Sequence, residues 1–342
     1  MSRLDNQENA VKLEEAFYSK EILLSYSALN LLLYSPRLYY KKYVLQEREE
    51  RTDAHLIEGK VIHALLLDEA NFNENFMMLP GNIPTGNTRT VVDKVFNLKS
   101  EDKLSDRKKE IIAILKEINL YQSLTDDKKP DKSGVIISGD DKRVSKIISE
   151  ETESYWDFLK KKGGKDIIDM ETLTKCKEAA ELLKANTRIA NLLKINNTNK
   201  KIKVYNEQKM FCTGLAGLPF GLKGILDNIV VDDIEEIIYI NDIKTTGKTI
   251  EDFEETVEYY NYWLQAAIYT KLATGLNSKN YKIKFTFIVI DKYQQVYPFE
   301  VSSVTMNAWI VKMEEVLEKA KWHYTNRKFT LPHRFEIETI IL

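Results

Sequence analysis

Residues 221–246 read GLKGILDNIVVDDIEEIIYINDIKTT. Ile225, Ile229 and Val231 alternate with Leu226, Asn228 and Val230, and a second apolar run rich in β-branched residues spans Ile237 to Ile243. Asp232-Asp233 and Glu235-Glu236 supply a polar turn between them. The pattern predicts a β-hairpin. Two acids interrupt it, Asp227 in the first strand and Asp242 near the end of the second, and Lys244 follows Asp242 by two. Side chains two apart on a strand share a face, so Asp242 and Lys244 point the same way, and antiparallel pairing brings Asp227 near Asp242. An acid pair and a lysine on one sheet face are costly to bury without a reason. A divalent cation, which takes carboxylate oxygens, is such a reason. The bland alternative is a surface hairpin whose charges are solvated.

The length of 342 residues is enough for one large α/β domain or two small ones, and 43% hydrophobic with 30% charged residues is the balance of a soluble globular chain. With 50 basic against 52 acidic residues the net charge is −2, which argues against a broadly basic nucleic-acid coat protein. It leaves room for a local basic groove beside an acidic metal site. Cys176 and Cys212 are far apart and form no C-x-x-C pair, so a disulfide framework, a zinc site and a four-cysteine cluster have no support. Met1 to Asn9 is polar and charged, unlike a signal peptide, and no run of about 18 apolar residues predicts a membrane span. The default compartment is the reducing cytoplasm.

Along the chain, residues 1–20 read as a polar arm with a marginal helix. An amphipathic helix opens near Ser27, a candidate N-cap, and leads through Pro36 to Tyr39, Tyr40 and Tyr43. Glu58 to Leu67 is a second apolar-periodic helix, with Gly59 and His63 four apart on one face. A lone histidine on such a face is more often a satisfied core residue than a ligand. Residues 79–100, rich in Pro, Gly, Asn and Thr, read as a loop. Residues 101–120 read as an amphipathic helix, DDKKPDKSG as a linker, Ser145 to Leu159 as helical, and Met170 to Leu193 as one helix or two in tandem. Lys201 to Phe211 is a strand carrying Tyr205 and Glu207. After the hairpin, Thr249 starts a long helix to about Thr274, with Asp252 as a capping-box acid. Tyr262, Gln265 and Tyr269 share one of its faces. Lys282 to Ile290 and Gln294 to Val301 form a second hairpin, Thr305 to Tyr324 a closing helix, and 325–342 a tail. His55, His323 and His333 fall in no motif.

Asp242-Ile243-Lys244, behind a strand carrying Gly224 to Asp227, resembles the acid-x-lysine signature of the PD-(D/E)XK nuclease superfamily. The triplet alone is common in proteins. Its specificity lies in the order His63, Asp227, Asp242, Lys244, Gln265, Tyr269, which is similar to RecE-like and RecB-like exonuclease domains over Ser25 to Phe76 and about 170 to 325. Gly59-x-x-x-His63, followed by Asp68 to Phe72 and Phe76, resembles a RecE-type helix whose histidine binds metal. Gln265-x-x-x-Tyr269 resembles the motif that follows the lysine in RecB-like enzymes. Glu207 resembles a glutamate that binds or borders a second metal, with a surface strand charge as the equal alternative. Ser25 to Tyr39 resembles the entry helix, from which Tyr39, Lys41 and Lys42 contact phosphates or stack on a base, or else simply cover the surface. Tyr262 is a further expected DNA contact.

The resemblance implies an α/β fold: a mixed central β-sheet flanked by helices, a restriction-endonuclease-like core, with a helical insert. It implies one domain over 1–342, with residues 80–168 as an insert of no assigned role. It also implies a Mg²⁺-dependent deoxyribonuclease, Mn²⁺ being the alternative metal, acting as a 5′→3′ exonuclease of phage or prophage recombination. His63, Asp227, Asp242 and the Ile243 carbonyl would hold the metal, and Lys244, Gln265 and Tyr269 would complete the catalytic set. DNA is the implied partner, together with a single-strand annealing protein and further copies of the chain in a ring. An endonuclease or nickase of the same fold and a non-catalytic DNA-binding scaffold are the alternatives.

Overall fold

The structure, a computed structural model, describes residues 3–47, 54–98, 102–130 and 134–340. The side chain of His55 and linker residues 131–133 lie outside the described residues. The chain divides into two compact units, Met1–Ala70 with Thr174–Leu342, and Asn71–Leu173.

The first unit is built on a six-stranded mixed sheet: β1 (Leu23–Leu24), β2 (Ile202–Cys212), β3 (Gly221–Asp232), β4 (Ile237–Thr246), β5 (Lys282–Asp291) and β6 (Val296–Val301). The expected hairpin is β3–β4. Asp232 Oδ1 closes its turn by accepting from Ile234 N at 2.8 Å and Glu235 N at 3.1 Å, an aspartate turn of the kind short polar side chains favour. β2 pairs antiparallel with the length of β3, ending at Cys212↔Leu222. On the opposite edge β4 pairs only as far as Asn228↔Asn241. β1 joins β3 in parallel at Gly221 and Leu222. Leu222 therefore has partners on both sides, and β1 and β4 share one edge of β3. Residues 223–227 lie between them on that edge, and β3 and β4 part company there. β4 continues in parallel beside β5, and β5 pairs antiparallel with β6.

Parallel neighbours need a crossover, and the expected long helix from Thr249 supplies it in pieces. Thr249 and Asp252 form the predicted capping box over a single tight turn, Ile250–Asp252. Four helices matter before and within this crossover: α1 (Tyr26–Tyr34), α2 (Ala54–Leu67), α3 (Thr187–Leu193) and α4 (Phe253–Tyr259). Asn261, left-handed at φ 57°, then breaks the helix, and α5 (Tyr262–Ala273) begins. A left-handed residue cannot continue a right-handed helix, and Asn is among the few side chains that tolerate it. α5 is buried on nearly every side, between β-strand residues such as Ile229, Ile240 and Phe287 and the residues Met313, Val316 and Ala320 of α6 (Ser303–Asn326). The N-cap of α1 is Ser25, which accepts from Ala28 N at 3.2 Å, rather than the expected Ser27. The expected tail is partly packed: Phe329 stacks on Tyr39 at 5.8 Å, and His333–Ile337 forms a short helix.

The pleat is interrupted at one place. Tyr205 and Met210 of β2 pack against the same core although five residues apart, and so do Leu226 and Ile229 of β3, three apart. Only even spacings share a face in an unbroken strand. Glu207, opposite Asp227, sits at φ 48°, which accounts for the switch.

The second unit has its own core around Trp156, with Val91, Val95, Ile111, Leu115 and Ile147. Phe76–Met78 and Asp166–Ile168 pair in parallel at its two chain ends. Here the sequence expectation needs correcting. Residues 86–96, read as loop, form an α-helix whose Val91, Val92 and Val95 are buried. Its polar composition masked a short apolar face spaced for a helix. The segment read as helical from Ser145 to Leu159 is two helices, Gly139–Ser145 and Glu150–Lys162, separated by a capping box at Ser149. Among the described residues, no helix is long and apolar enough to cross a membrane.

Candidate active site

The site forms where β3 and β4 separate. Beyond Asn241 the β4 backbone has no β3 ladder to join, and Ile243 N donates instead to Asp227 Oδ2 at 2.7 Å. The Ile243 carbonyl meets His63 Nε2 of α2 at 3.1 Å. A carbonyl only accepts, so Nε2 carries the proton and Nδ1 faces the site. Nδ1 lies 3.6 Å from both Glu207 Oε1 and Asp227 Oδ1. Donor atoms of His63, Glu207 and Asp227 all fall within 4.8 Å of one another. α2 comes this close because Gly59 faces the sheet: a Cβ there would stand 3.2 Å from Thr245 Oγ1. Asp242 is fully buried beside this cluster. Its Oδ1 accepts from Gln265 Nε2 at 3.1 Å, and Lys244 Nζ lies 2.5 Å from Oδ2. Tyr269 lies four residues beyond Gln265 on the same face of α5. Its ring fills the space over Gly224, where any Cβ would meet it at 2.7 Å.

The structure thus brings together His63, Asp227, Asp242, Lys244, Gln265 and Tyr269, with Glu207 inside the tight cluster and Asp242 at its border. Ile243, expected as a ligand, spends its carbonyl on orienting His63. Metal-binding histidines usually anchor their second nitrogen in this way. Glu207 gave the weakest sequence signal of the set. Its left-handed backbone places it here, and such conformations cost of order 1–3 kcal/mol and cluster at functional sites.

The charges are out of balance in a telling way. Burial works against a charged His63, but Asp227 and Glu207 overcome it and push its pKa up to about 9. Burial raises the Asp242 carboxyl, with Lys244 opposing. Lys244 is held above its ordinary value by Asp242 and Asp227 despite its burial. Burial, with the carboxylates of Asp242 and Asp227, raises Tyr269 far above an ordinary phenol. Two buried carboxylate oxygens, Glu207 Oε1 and Asp242 Oδ2, have no partner in hydrogen-bond geometry. Each nonetheless has a nitrogen beside it, His63 Nδ1 at 3.6 Å from Glu207 Oε1 and Lys244 Nζ at 2.5 Å from Asp242 Oδ2.

On the other side of the same strands, three asparagines adjoin three of the acids in sequence. Asn206 Nδ2 donates to Leu67 O at 3.0 Å, Asn228 Nδ2 to Asn206 Oδ1 at 2.8 Å, and Asn241 Nδ2 to Asn228 Oδ1 at 2.7 Å. Asn228 and Asn241 also reach the carbonyls of Leu193 and Leu192 in α3 at 3.3 and 3.1 Å. This ladder ties β2, β3 and β4 to the C-terminal ends of α2 and α3 directly behind Glu207, Asp227 and Asp242. Nothing in the sequence reading singled it out. The repeated pairing of Asn with an acid on three strands was the available signal.

The expected DNA contacts separate into two kinds. Tyr39 is 1% exposed, stacked on Tyr43 and Phe329, with its hydroxyl bonded to Tyr324. Its ring is spent on the core and has no face for a base, which corrects that expectation. Lys41 and Lys42 are exposed, Lys41 beside Glu47 at 3.6 Å. The half-buried Tyr262 ring lies under Lys244 Nζ at 4.9 Å.

A restriction-endonuclease-like α/β core with this site defines a class, and the comparison of sequences agrees. The model of the PD-(D/E)XK nuclease superfamily matches residues 23–329, and the chain belongs to that superfamily. The crystal structure of a candidate exonuclease from Eubacterium rectale aligns over 100% of this chain and 95% of its own, at 10% identity and a TM-score of 0.47. A solved protein named SSO0001 aligns over 73% of this chain and 95% of its own, at 13% identity and a TM-score of 0.26. No curated protein gives a significant match. Nucleases of this superfamily use divalent metals, and the donor set here fits one. Oxygen-rich ligands with one imidazole suit a hard cation, and Glu207 Oε1 and Asp242 Oδ2, buried and outside hydrogen-bond geometry, are the groups such an ion would satisfy.

Proposed function

We propose that this chain is a divalent-cation-dependent deoxyribonuclease, a 5′→3′ exonuclease of the RecE-like type serving phage or prophage recombination. The observation that carries the reading is the cluster of His63, Glu207 and Asp227 beside Asp242 and Lys244, with the buried oxygens Glu207 Oε1 and Asp242 Oδ2 outside hydrogen-bond geometry. His63 through Nδ1, Glu207 and Asp227 would hold the ion, with Asp242 at its edge; Mg²⁺ is the expected metal and Mn²⁺ the substitute. A cation held there would polarise a phosphate and lower the pKa of a bound water. Lys244 stands ready to orient that water and to meet charge developing on the phosphorane. Gln265 fixes the Asp242 carboxylate, and Tyr269 packs over Gly224 beside it. Lys41 and Lys42 supply exposed charge for the DNA backbone.

The same reading takes residues 80–168 as an insert in one nuclease domain. It also takes the cytoplasm as the compartment, a ring of copies as the assembly and a single-strand annealing protein as the partner. Digestion of end-labelled linear duplex beside a closed circle, with Mg²⁺ and with EDTA, tests the activity. Loss of the label's strand from its 5′ end, with the circle intact, is the expected result. Cleavage of the circle makes the chain an endonuclease or nickase of the same fold.

A further inference from the structure

The break between α4 and α5 carries tyrosines that the chemistry above does not use. Tyr259 is 76% exposed and Tyr260 46%. Their rings meet edge to face at 4.9 Å. Tyr260 in turn stacks on Tyr262 at 5.6 Å with 27° between the planes, and the Tyr262 ring carries the Lys244 ammonium. An aromatic row therefore runs from solvent to the candidate catalytic lysine. Lys248 Nζ lies over the outer ring, Tyr259, at 5.9 Å.

The turn that presents these rings is held from several sides. The Tyr260 carbonyl accepts from the Tyr26 hydroxyl and from Asn30 Nδ2 at 3.3 Å. Asn261, at φ 57°, donates through Nδ2 to Asn30 Oδ1 at 2.8 Å and accepts from Trp263 Nε1 at 3.1 Å. Single exposed aromatic side chains need no explanation. Two adjacent exposed rings on a left-handed, hydrogen-bonded turn, in line with Lys244, call for one.

We propose that Tyr259 and Tyr260 are a stacking platform for unpaired bases of a DNA single strand, an overhang or frayed end that leads to Lys244. The proposal deepens the nuclease reading and rests on it. Inside a duplex each base has its faces covered by its neighbours, whereas an unpaired base offers its π-face to an aromatic ring. Such stacking is sequence-tolerant, because every base has a π-face. Lys248 at the outer end and Lys244 at the inner end meet the phosphates of the same strand. The fixed turn keeps the rings in place, so little ordering remains to be done on binding.

The test reads binding in EDTA, where a metal-dependent enzyme does not cut. The probes are a single-stranded oligonucleotide with 2-aminopurine at successive positions, an abasic version of it, and a blunt duplex of the same sequence. On the parent chain, 2-aminopurine emission is expected to be quenched at one or two neighbouring positions. The double variant Tyr259→Ala/Tyr260→Ala should bind the single strand about tenfold or more weakly, in keeping with stacking energies per base. The variant Tyr259→Phe/Tyr260→Phe keeps both rings and should bind as the parent does, and the blunt duplex should not distinguish the three. Equal single-strand affinity in the Ala variant, or equal affinity of the parent for the abasic strand, overturns the platform. If the parent chain nonetheless cuts DNA with Mg²⁺, the nuclease reading stands without it. A parent chain that neither binds nor cuts DNA overturns both.

Discussion

Lys244 is buried between an acid and a ring, with its side chain 13% exposed, 2.5 Å from Asp242 Oδ2 and over Tyr262. A solvated lysine tolerates replacement within about 0.5 kcal/mol. One aimed at a reacting phosphate does not. Lys244→Ala is expected to fold, bind Mg²⁺ and bind DNA, yet to cleave on the order of 100-fold or more slowly, about 3 kcal/mol of transition-state stabilisation. Lys244→Arg is expected to be largely inactive as well, because a planar fork cannot replace a compact ammonium in the space between Asp242 and Tyr262. Single-turnover cleavage at saturating Mg²⁺ measures both, and full activity in the Arg variant would reduce Lys244 to a source of positive potential. At this scale much was legible. Period-two spacing aligned Asp242 with Lys244, and period-3.6 spacing aligned Gln265 with Tyr269. The left-handed backbone of Glu207 was not legible, since glutamate carries no preference for that conformation. Nor was the loss of Tyr39 to the core, because an aromatic residue after a proline reads equally as surface or interior.

The elements around the site are held by polar contacts rather than by apolar packing alone. Asn228 is the centre of the ladder, joined to Asn206, Asn241 and the Leu193 carbonyl, and fully buried. Replacing it with Leu takes a partner from the Leu193 carbonyl, from the exposed Asn206 and from Asn241 Nδ2, which keeps the Leu192 carbonyl. An orphaned buried group costs roughly 1–3 kcal/mol, so Asn228→Leu is expected to lower stability by about 1–2 kcal/mol in urea unfolding and to raise the Mg²⁺ concentration needed for half-maximal cleavage. A change within about 0.5 kcal/mol would make the ladder a bystander. The hairpins and the buried α5 were visible in the sequence because apolar period and turn residues agree there. The break at Asn261 was hidden, since its signal is a single side chain that also fits a helix interior. The helix at Gly86–Phe96 was hidden by composition, three valines being too few to outweigh Pro, Gly and Asn around them.

Over the whole molecule, the second unit holds none of the candidate site residues, and it closes on itself through Phe76–Met78 and Asp166–Ile168 and its own Trp156 core. The first unit also buries a histidine outside the candidate site. His323 of α6 is 3% exposed and donates from Nδ1 to the Lys328 carbonyl at 2.5 Å. Burial holds its pKa below the ordinary value of about 6.5, against the opposing carbonyl bond. It stays neutral in the folded chain while the unfolded chain takes up the proton first. Its contribution to stability is thus complete above about pH 6.5 and is lost as pH falls through the lower, folded value. His63 titrates the other way and in a higher window, between the ordinary value and about 9. Urea midpoints of the parent chain and of His323→Phe should accordingly converge as pH is lowered from 7 to 5. Parallel curves would mean that folding leaves the His323 pKa unshifted.

The central claim is that the carboxylates at the parting of β3 and β4 exist to hold a cation that cuts DNA. Asp227→Asn tests it most directly, because the amide oxygen can still accept from Ile243 N and only the charge is lost. The measurement is single-turnover hydrolysis of end-labelled linear duplex by the parent chain and by Asp227→Asn across a Mg²⁺ titration, with circular dichroism melting on both. The account predicts saturable, Mg²⁺-dependent cleavage by the parent chain, none in EDTA, and loss of cleavage in a variant that melts as the parent does. Undiminished cleavage by Asp227→Asn, or cleavage by the parent chain that continues in EDTA, would contradict it.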